Sequence, residues 1–347
     1  MILHLTRKEK FTKPFIDFVK ENFDVNKHFF LLVGGQNKKE FELDDNSYIK
    51  TLHDKKEFLN YFLEFNKKMY TSNKIIVHGL SQPYNIVYLF FNPWLLKKTY
   101  WIMWGADLYG YLTPNKSWKQ KIIEFCKKSI TKKIAHFITY NKGDYKLAQK
   151  WYGVKGKYHE CFKYPSNLYK EYDIKPKDHT TIKIQIGNSA DPSNNHIDVL
   201  KKLEKYKDED IQIFVPLSYG NDEYAKEVIA YGEELFRDKF IPLREFMPFE
   251  KYLEFLGSID IAIFAHKRQQ AMGNTITLLG LGKKVYMRND ITPWQLFKDV
   301  DVKVFNVENI EIDLMDKQVQ KENQEKIKEY FSKENYLNQL RNLFESK

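Results

Sequence analysis

Two hydrophobic rhythms alternate along the first half of the chain. Short β-rich runs, Ile2 to Leu5, Phe29 to Val33, Lys74 to Val77, Tyr100 to Met103 and Ile134 to Thr139, read as strands. Between them the spacing turns helical: from Lys55 to Met69, Phe58, Leu59, Phe62, Leu63 and Phe65 recur among charged residues. Strand and helix in alternation predict a parallel sheet covered on both faces.

The alternation lapses between Tyr164 and Thr181, where Pro165, Ser166, Pro176 and mixed charges read as a linker. It then restarts. Strands are predicted at Thr181 to Ile186, Ile211 to Val215, Ile259 to Phe264, Lys284 to Met287 and Val302 to Phe305. Helices are predicted at Asn194 to Lys205, Asp222 to Phe236, Phe249 to Leu256 and Asn274 to Leu281. The expected fold class is α/β, with two Rossmann-like doubly wound domains at residues 1–165 and 180–315 and a charged helical tail at 316–347. Two such halves put the expected ligand site in the cleft between them, at the carboxyl ends of both sheets.

Composition narrows the class. Of 347 residues, 43% are hydrophobic and 16% aromatic, enough to fill two cores and too much for a mainly disordered chain. Lysine and arginine outnumber the acidic residues by 56 to 46, a net charge of +10. That balance favours a polyanionic partner: nucleic acid, a nucleotide-sugar diphosphate or an acidic membrane surface. Cys126 and Cys161 have no metal or redox spacing, and the chain opens without a secretory apolar segment, so free thiols in a reducing cytosol are expected. The stretch Tyr84 to Leu96, broken by Asn92 and Pro93, is too short to span a bilayer, so any membrane contact is expected to be peripheral.

Three segments carry candidate chemistry. The run Gly187-Asn188-Ser189-Ala190-Asp191-Pro192-Ser193-Asn194-Asn195-His196 joins a predicted strand to a helix whose apolar face includes Ile197, Leu200 and Leu203. Asp191 before Pro192 has the pattern of an N-cap, with Ser193 a competing cap. Amide donors and small polar side chains at a helix start suit a phosphate or sugar hydroxyls; the plainer alternative is that they only terminate the helix. The run is not a G-x-G-x-x-G fingerprint, so no dinucleotide is implied. The second segment, Lys267 to Thr275, sets two cations, then Gln269 and Gln270, then Gly273 after a buried strand. It suits a diphosphate cradle, or else an ordinary basic turn.

In the third segment, Trp101 to Tyr109, Asp107 falls just beyond a buried strand, where a carboxylate accepts a proton or orients a sugar hydroxyl. Trp104 and Tyr109 offer apolar faces to a sugar ring. The alternative makes Asp107 a helix cap and the aromatics core. His78 ends another predicted strand on the same edge and is a second candidate base. Asp299-Val300-Asp301 and Asp208-Glu209-Asp210 precede strands and read as solvated turns, and no histidine or cysteine cluster has zinc-ligand spacing. No metal and no cofactor are expected.

At these segments the chain resembles the bacterial 4-acetamido-4,6-dideoxy-galactose transferases of enterobacterial common antigen synthesis, which move a dTDP-linked sugar onto a lipid-linked acceptor. Trp104 to Tyr109 resembles that family's W-G-A-D-L-Y, and Gly187 to Ile197 its G-N-S-x-D-x-S-N-x-H-I. Met247-Pro248-Phe249-Glu250-Lys251-Tyr252-Leu253 and then Arg268 to Gly273 resemble its L-P-F-x-x-Y-L and R-Q-Q-x-x-G. Order and spacing agree from about residue 75 to 295, and the two ends are less alike. The resemblance implies a GT-B glycosyltransferase, two Rossmann-like domains facing across a cleft, acting without metal. It gives the acceptor to the N-terminal half, with Trp104, Gly105 and Tyr109, and the nucleotide sugar to the C-terminal half. There Gly187, Asn188 and Ser189, with Asp191 and Asn194 of the same run, line the donor sugar or diphosphate. Met247, Pro248 and Phe249 border the nucleobase, and Arg268, Gln269, Gln270, Gly273 and Asn274 hold the pyrophosphate. One position departs: Asn274 stands where the family has threonine, with Thr275 next.

The leading expectation is a glycosyltransferase that uses a dTDP-linked deoxyamino sugar and a polyprenyl-diphosphate-linked glycan. Lysines and aromatics interleaved from Tyr111 to Lys133 predict an amphipathic basic helix that docks it on the cytoplasmic face of the bacterial inner membrane. A competing reading within enzymes is a nucleotide-sugar epimerase or hydrolase on the same scaffold. A basic nucleic-acid-binding protein requires arginine-rich clusters, a helix-turn-helix or an RNP-like motif, none of which is found, so no nucleic-acid partner is expected.

Overall fold

A computed structural model describes residues 1–35, 43–172, 174 and 179–345. Among these residues the strands form a seven-stranded and a six-stranded sheet, every pairing parallel. The first sheet holds β1 (Ile2–Lys8), β2 (His28–Gly35), β3 (Ile49–Leu52), β4 (Lys74–His78), β5 (Thr99–Ile102), β6 (His136–Ile138) and β7 (Lys157–His159), in the order β3-β2-β1-β4-β5-β6-β7. The second holds β8 (Ile182–Ile186), β9 (Ile211–Pro216), β10 (Phe240–Leu243), β11 (Ile261–Phe264), β12 (Lys284–Met287) and β13 (Phe305–Asn306), in the order β10-β9-β8-β11-β12-β13. Both orders run outward one way from their first strand and then reverse, which is the doubly wound pattern. Loops at the carboxyl ends splay apart at that reversal and leave a crevice.

Central strands are buried on both faces, and one face is almost wholly apolar. Leu3, Leu5, Leu31, Ile75, Val77 and Trp101 are almost fully buried on that face of the first sheet, and Ile184, Ile186, Ile213, Val215 and Ile263 on that of the second, while the opposite faces mix Phe30, Ile76 and Phe264 with the buried polar side chains His4 and Gln185. In the first sheet Leu3 sits in register with Phe29 on one side and Ile75 on the other.

Several elements differ from the expected ones. β3, β7 and β10 were not signalled. The helix expected from Lys55 to Met69 breaks at Tyr61 into Lys55–Asn60 and Phe62–Thr71. The helix expected from Asn194 is preceded by a 3-10 turn, Pro192–Asn194, where the Asp191 side chain accepts from Ser193 N–H. Asn195, with φ of 52°, then resets the backbone before the helix His196–Leu203.

The chain divides into two compact units, residues 1–167 with 336–347, and residues 168–335. The stretch expected as a single helical tail is two helices, Lys317–Tyr330 and Lys333–Glu345, and from Tyr336 onward it belongs to the first unit. There Tyr336 is buried against Phe18 and Phe162, and Gln339 accepts from the Phe162 amide at 2.9 Å. Cys126 and Cys161 are buried free thiols.

Candidate functional site

In the second unit the first candidate segment begins where β8 ends. Gly187 has φ of +66°, and a Cβ there would collide with the His196 ring and the Asn194 amide, so the tight exit from the strand requires glycine. Asn194, fully buried, ties the turn together. Its Oδ1 accepts from the Asn188 amide at 3.0 Å and from His266 Nε2 at 2.7 Å, and its Nδ2 donates to the Asp191 carbonyl at 2.9 Å. Burial, with His196 and Arg268 nearby, lowers the His266 pKa to about 3, so the ring is neutral and donates from Nε2.

The second segment meets the first directly. Ser193 Oγ lies 2.9 Å from Gln270 Oε1, 77 residues away in sequence. Burial alone would raise the Asp191 carboxyl, but bonds from Ser193 and the charge of Arg268 hold it below the usual range. Gln269 is buried, and Arg268, Gly273 and Asn274 are partly exposed. Ala271 takes the left-handed φ of 54° just before the helix Met272–Gly280, placing Gly273 and Asn274 in its first turn.

Beside this junction a cavity of about 200 Å³ is lined by Asn188, Tyr219, Phe246, Met247, Tyr252 and Asn274. It joins one residue from each of the three expected donor segments. Asn188 Nδ2 donates to the Tyr219 hydroxyl at 3.0 Å, and the Tyr252 hydroxyl lies against Gln185 and Asn274. Pro248 is exposed and precedes the helix Phe249–Ser258, in which Phe249 contributes backbone; its side chain lies outside the described residues. Tyr219, Phe246, Tyr252 and His266 escaped the sequence reading. Tyr252 stands inside the Met247 to Leu253 motif and His266 one residue before Lys267, so both were within reach, whereas Tyr219 comes from the β9 exit and gave no signal.

In the first unit the two expected bases are deeply embedded. His78, at the end of β4, is 6% exposed, and Asp107, in the short helix Gly105–Tyr109 after β5, is 3% exposed. His78 Nε2 lies 3.1 Å from His4 Nδ1, and its Nδ1 lies 3.0 Å from the Tyr164 hydroxyl. Burial lowers its pKa to about 3. Asp107 Oδ2 accepts from the Leu80 amide at 2.6 Å and the Trp101 indole at 2.7 Å, and Oδ1 accepts from the Trp104 amide at 2.8 Å. Burial raises its pKa, opposed by Lys127 and by these bonds. Both expected bases are thus hydrogen-bonded within the protein: Asp107 caps its own helix and braces the β4 exit, and His78 links two buried partners. Trp104, partly exposed, meets Tyr164 and Phe11 edge-on at 5.4 and 5.8 Å, while Tyr109 packs on Trp151 at 5.4 Å, so the two aromatics fall in different clusters. Gly105 opens the helix between them.

The family model for the 4-alpha-L-fucosyltransferases, glycosyl transferase group 56, matches residues 10–347. The chain belongs to this family. It is a glycosyltransferase, which sets aside the epimerase, hydrolase and nucleic-acid readings. Solved structures with the same fold include a glycosyltransferase from Rickettsia africae (15% identity, TM-score 0.65, covering 99% of this chain and 97% of that one). Sucrose-phosphate synthase from Thermosynechococcus elongatus matches at 9% identity and TM-score 0.67, over 99% and 98% of the two chains. WaaG, a glycosyltransferase involved in lipopolysaccharide biosynthesis, matches at 10% identity and TM-score 0.54, over 100% and 96%. The fold is GT-B.

This group 56 glycosyltransferase carries a cavity of about 600 Å³ at the carboxyl edge of its first sheet, lined by Arg7, Gly34, Gly35, His53, Ser81 and Gln82 among others. Glu9, in the turn after β1, has its carboxylate 3.5 Å from Arg7 Nε. Burial raises the Glu9 pKa against the charges of Arg7 and Lys10. Nothing in the sequence marked Glu9, which lies before the stretch that resembles the transferase family. Among the described residues no helix is long and apolar enough to cross a membrane.

Proposed function

We propose that this enzyme transfers 4-acetamido-4,6-dideoxy-galactose, or a close relative, from a dTDP-sugar held by the second unit to a polyprenyl-diphosphate-linked glycan held by the first. The observation that carries the reading is the donor-side junction, where three motif segments shared with such transferases converge on one cavity. The family description agrees with the sugar, since 4-acetamido-4,6-dideoxy-galactose has the 6-deoxy-galactose skeleton of fucose with an acetamido group at C4. The involvement of WaaG in lipopolysaccharide biosynthesis is in keeping with surface-glycan synthesis at the cytoplasmic face of the inner membrane.

Transfer needs the departing diphosphate stabilised and the acceptor hydroxyl deprotonated. Arg268 and the amides in the first turn of Met272–Gly280 supply cation and donors for the diphosphate. Tyr219, Phe246 and Tyr252 give the 200 Å³ cavity aromatic walls for a base or sugar. Because both oxygens of Asp107 are engaged, the general base we favour is Glu9, whose carboxylate lies 3.5 Å from Arg7 Nε of the strand-end cavity and whose pKa burial raises.

A thermal-shift screen of nucleotide-diphosphate sugars in EDTA tests the donor assignment, because a ligand that binds only the folded state raises Tm by mass action. dTDP-sugars are expected to give the largest shift. Arg268→Ala should weaken dTDP by about 1.5 to 3 kcal/mol, the worth of a charge-assisted hydrogen bond. Unchanged dTDP affinity in that variant, or activity abolished by EDTA, would refute the cradle.

A further inference from the structure

The first unit has a second hollow, larger than the one at its strand ends and different in character. It is a depression of about 750 Å³, open to solvent, beside the helices Pro83–Phe91 and Trp118–Thr131, with Leu80, Ile86 and Ile123 among its apolar walls and the half-exposed Ile122 at its rim. Lys116, Lys119 and Lys127 also line it. Ser81 and Pro83 line both this hollow and the 600 Å³ cavity that contains Arg7, so the two are neighbours that share a wall. An apolar hollow edged by an ammonium group and lying beside a polar cavity suits a hydrocarbon chain joined through an anion to a hydrophilic head.

We infer that the 750 Å³ hollow seats the proximal isoprene units of the acceptor, with its diphosphate against Lys119 and its glycan directed past Ser81 toward the strand-end cavity. This rests on the lipid-linked acceptor proposed above and adds where the lipid sits. The Lys119 ammonium opposes the diphosphate in charge, and the walls remove prenyl surface from water. The other two lysines are committed elsewhere: Lys116 pairs with Glu124 of the same lining at 3.5 Å and donates to the Tyr111 carbonyl, and Lys127 donates to the Asp107 carbonyl and lies over the Trp101 and Tyr152 rings, so both shape the hollow rather than bind the anion.

Gly110 supplies the test. It lines the hollow, its φ of −53° is open to any residue, and a Cβ there would meet nothing within 4 Å. Gly110→Trp should therefore fold and fill the chamber. Geranylgeranyl diphosphate is titrated into the full chain by calorimetry, beside inorganic pyrophosphate and lysophosphatidylglycerol. Wild type is expected to bind geranylgeranyl diphosphate at least tenfold more tightly than either control, and Gly110→Trp to lose that margin with Tm unchanged. If Gly110→Trp unfolds, Lys119→Glu serves instead, with the same tenfold loss expected. Equal binding by wild type and variant overturns the seat, as does equal binding of the lysophospholipid, which would make the hollow a site for membrane acyl chains. Transfer to a glycan with and without its prenyl diphosphate separates the two proposals. Preference for the prenylated glycan that survives in Gly110→Trp leaves the lipid-linked acceptor standing and removes only the seat. No preference in wild type removes both.

Discussion

Asp107 and Glu9 are both carboxylates beyond the end of a strand in the first unit, and burial raises the pKa of each, yet their surroundings differ. Asp107 receives the Leu80 amide, the Trp101 indole and the Trp104 amide, all from protein. In Asp107→Asn an NH2 group must face one or two of those donors, and each buried donor left unmet costs about 1 to 3 kcal/mol. The expected outcome is a lowered Tm with turnover per folded molecule largely kept. Glu9→Gln should do the reverse, keeping Tm and dTDP affinity while turnover falls by about 10²- to 10⁴-fold, the usual worth of a general base. Near wild-type turnover in Glu9→Gln, together with an inactive but stable Asp107→Asn, would return the role to Asp107. The sequence showed that a carboxylate sits at this strand end. It did not show that Leu80 and Trp101 aim donors at it, because those contacts join the exits of β4 and β5, which only folding brings together.

Among elements, what stayed illegible has a position in common. β3, β7 and β10 each lie at an edge of their sheet. An edge strand is paired on one side only and can be short and partly exposed, as Lys157–His159 is, so it lacks the long apolar run that reveals a central strand. The strand-to-helix exit expected to hold the donor was legible as a turn because it needs Gly187 and capping groups such as Asp191, both of which are visible as residue types. The helix Trp118–Thr131 was likewise readable from its spacing. It turns Trp118, Ile122 and Phe125, 67%, 52% and 64% exposed, outward at positions four and three residues apart, with Lys119, Lys121 and Lys128 around them. Large apolar side chains held in water on one basic helix face suit the interface of an anionic bilayer. The chain is expected to float with phosphatidylglycerol vesicles at low salt and to be released as salt rises, with Trp118→Ser plus Phe125→Ser weakening flotation at least several-fold. Equal partition onto neutral and anionic vesicles would remove this helix as the docking element.

At the scale of the whole molecule, both units bury histidines in neutral form. His78 in the first unit, and His196 and His266 in the second, have pKa values lowered to about 3, 4 and 3, mainly by burial. His4 is fully buried and lowered as well, and its two nitrogens bridge His28 and His78. In the unfolded chain each histidine takes up its proton near pH 6.5, whereas in the native state it stays unprotonated until pH approaches 4 or below. Between those limits the unfolded state binds more protons, so stability falls as pH falls. Above pH 6.5 both states are neutral and these groups leave stability flat. Each deeply buried histidine contributes a slope of up to about 1.4 kcal/mol per pH unit, so three of them approach a typical total stability of about 5 to 15 kcal/mol within two units. Asp107, with its pKa raised by burial, works the other way, from the ordinary carboxylate pKa upward. Urea midpoints measured from pH 8 to 4.5 should therefore be level down to about 6.5 and then drop steeply, well before most carboxylates titrate. A midpoint unchanged to pH 5 would show that the buried histidines are protonated in the native state and that their surroundings compensate the charge.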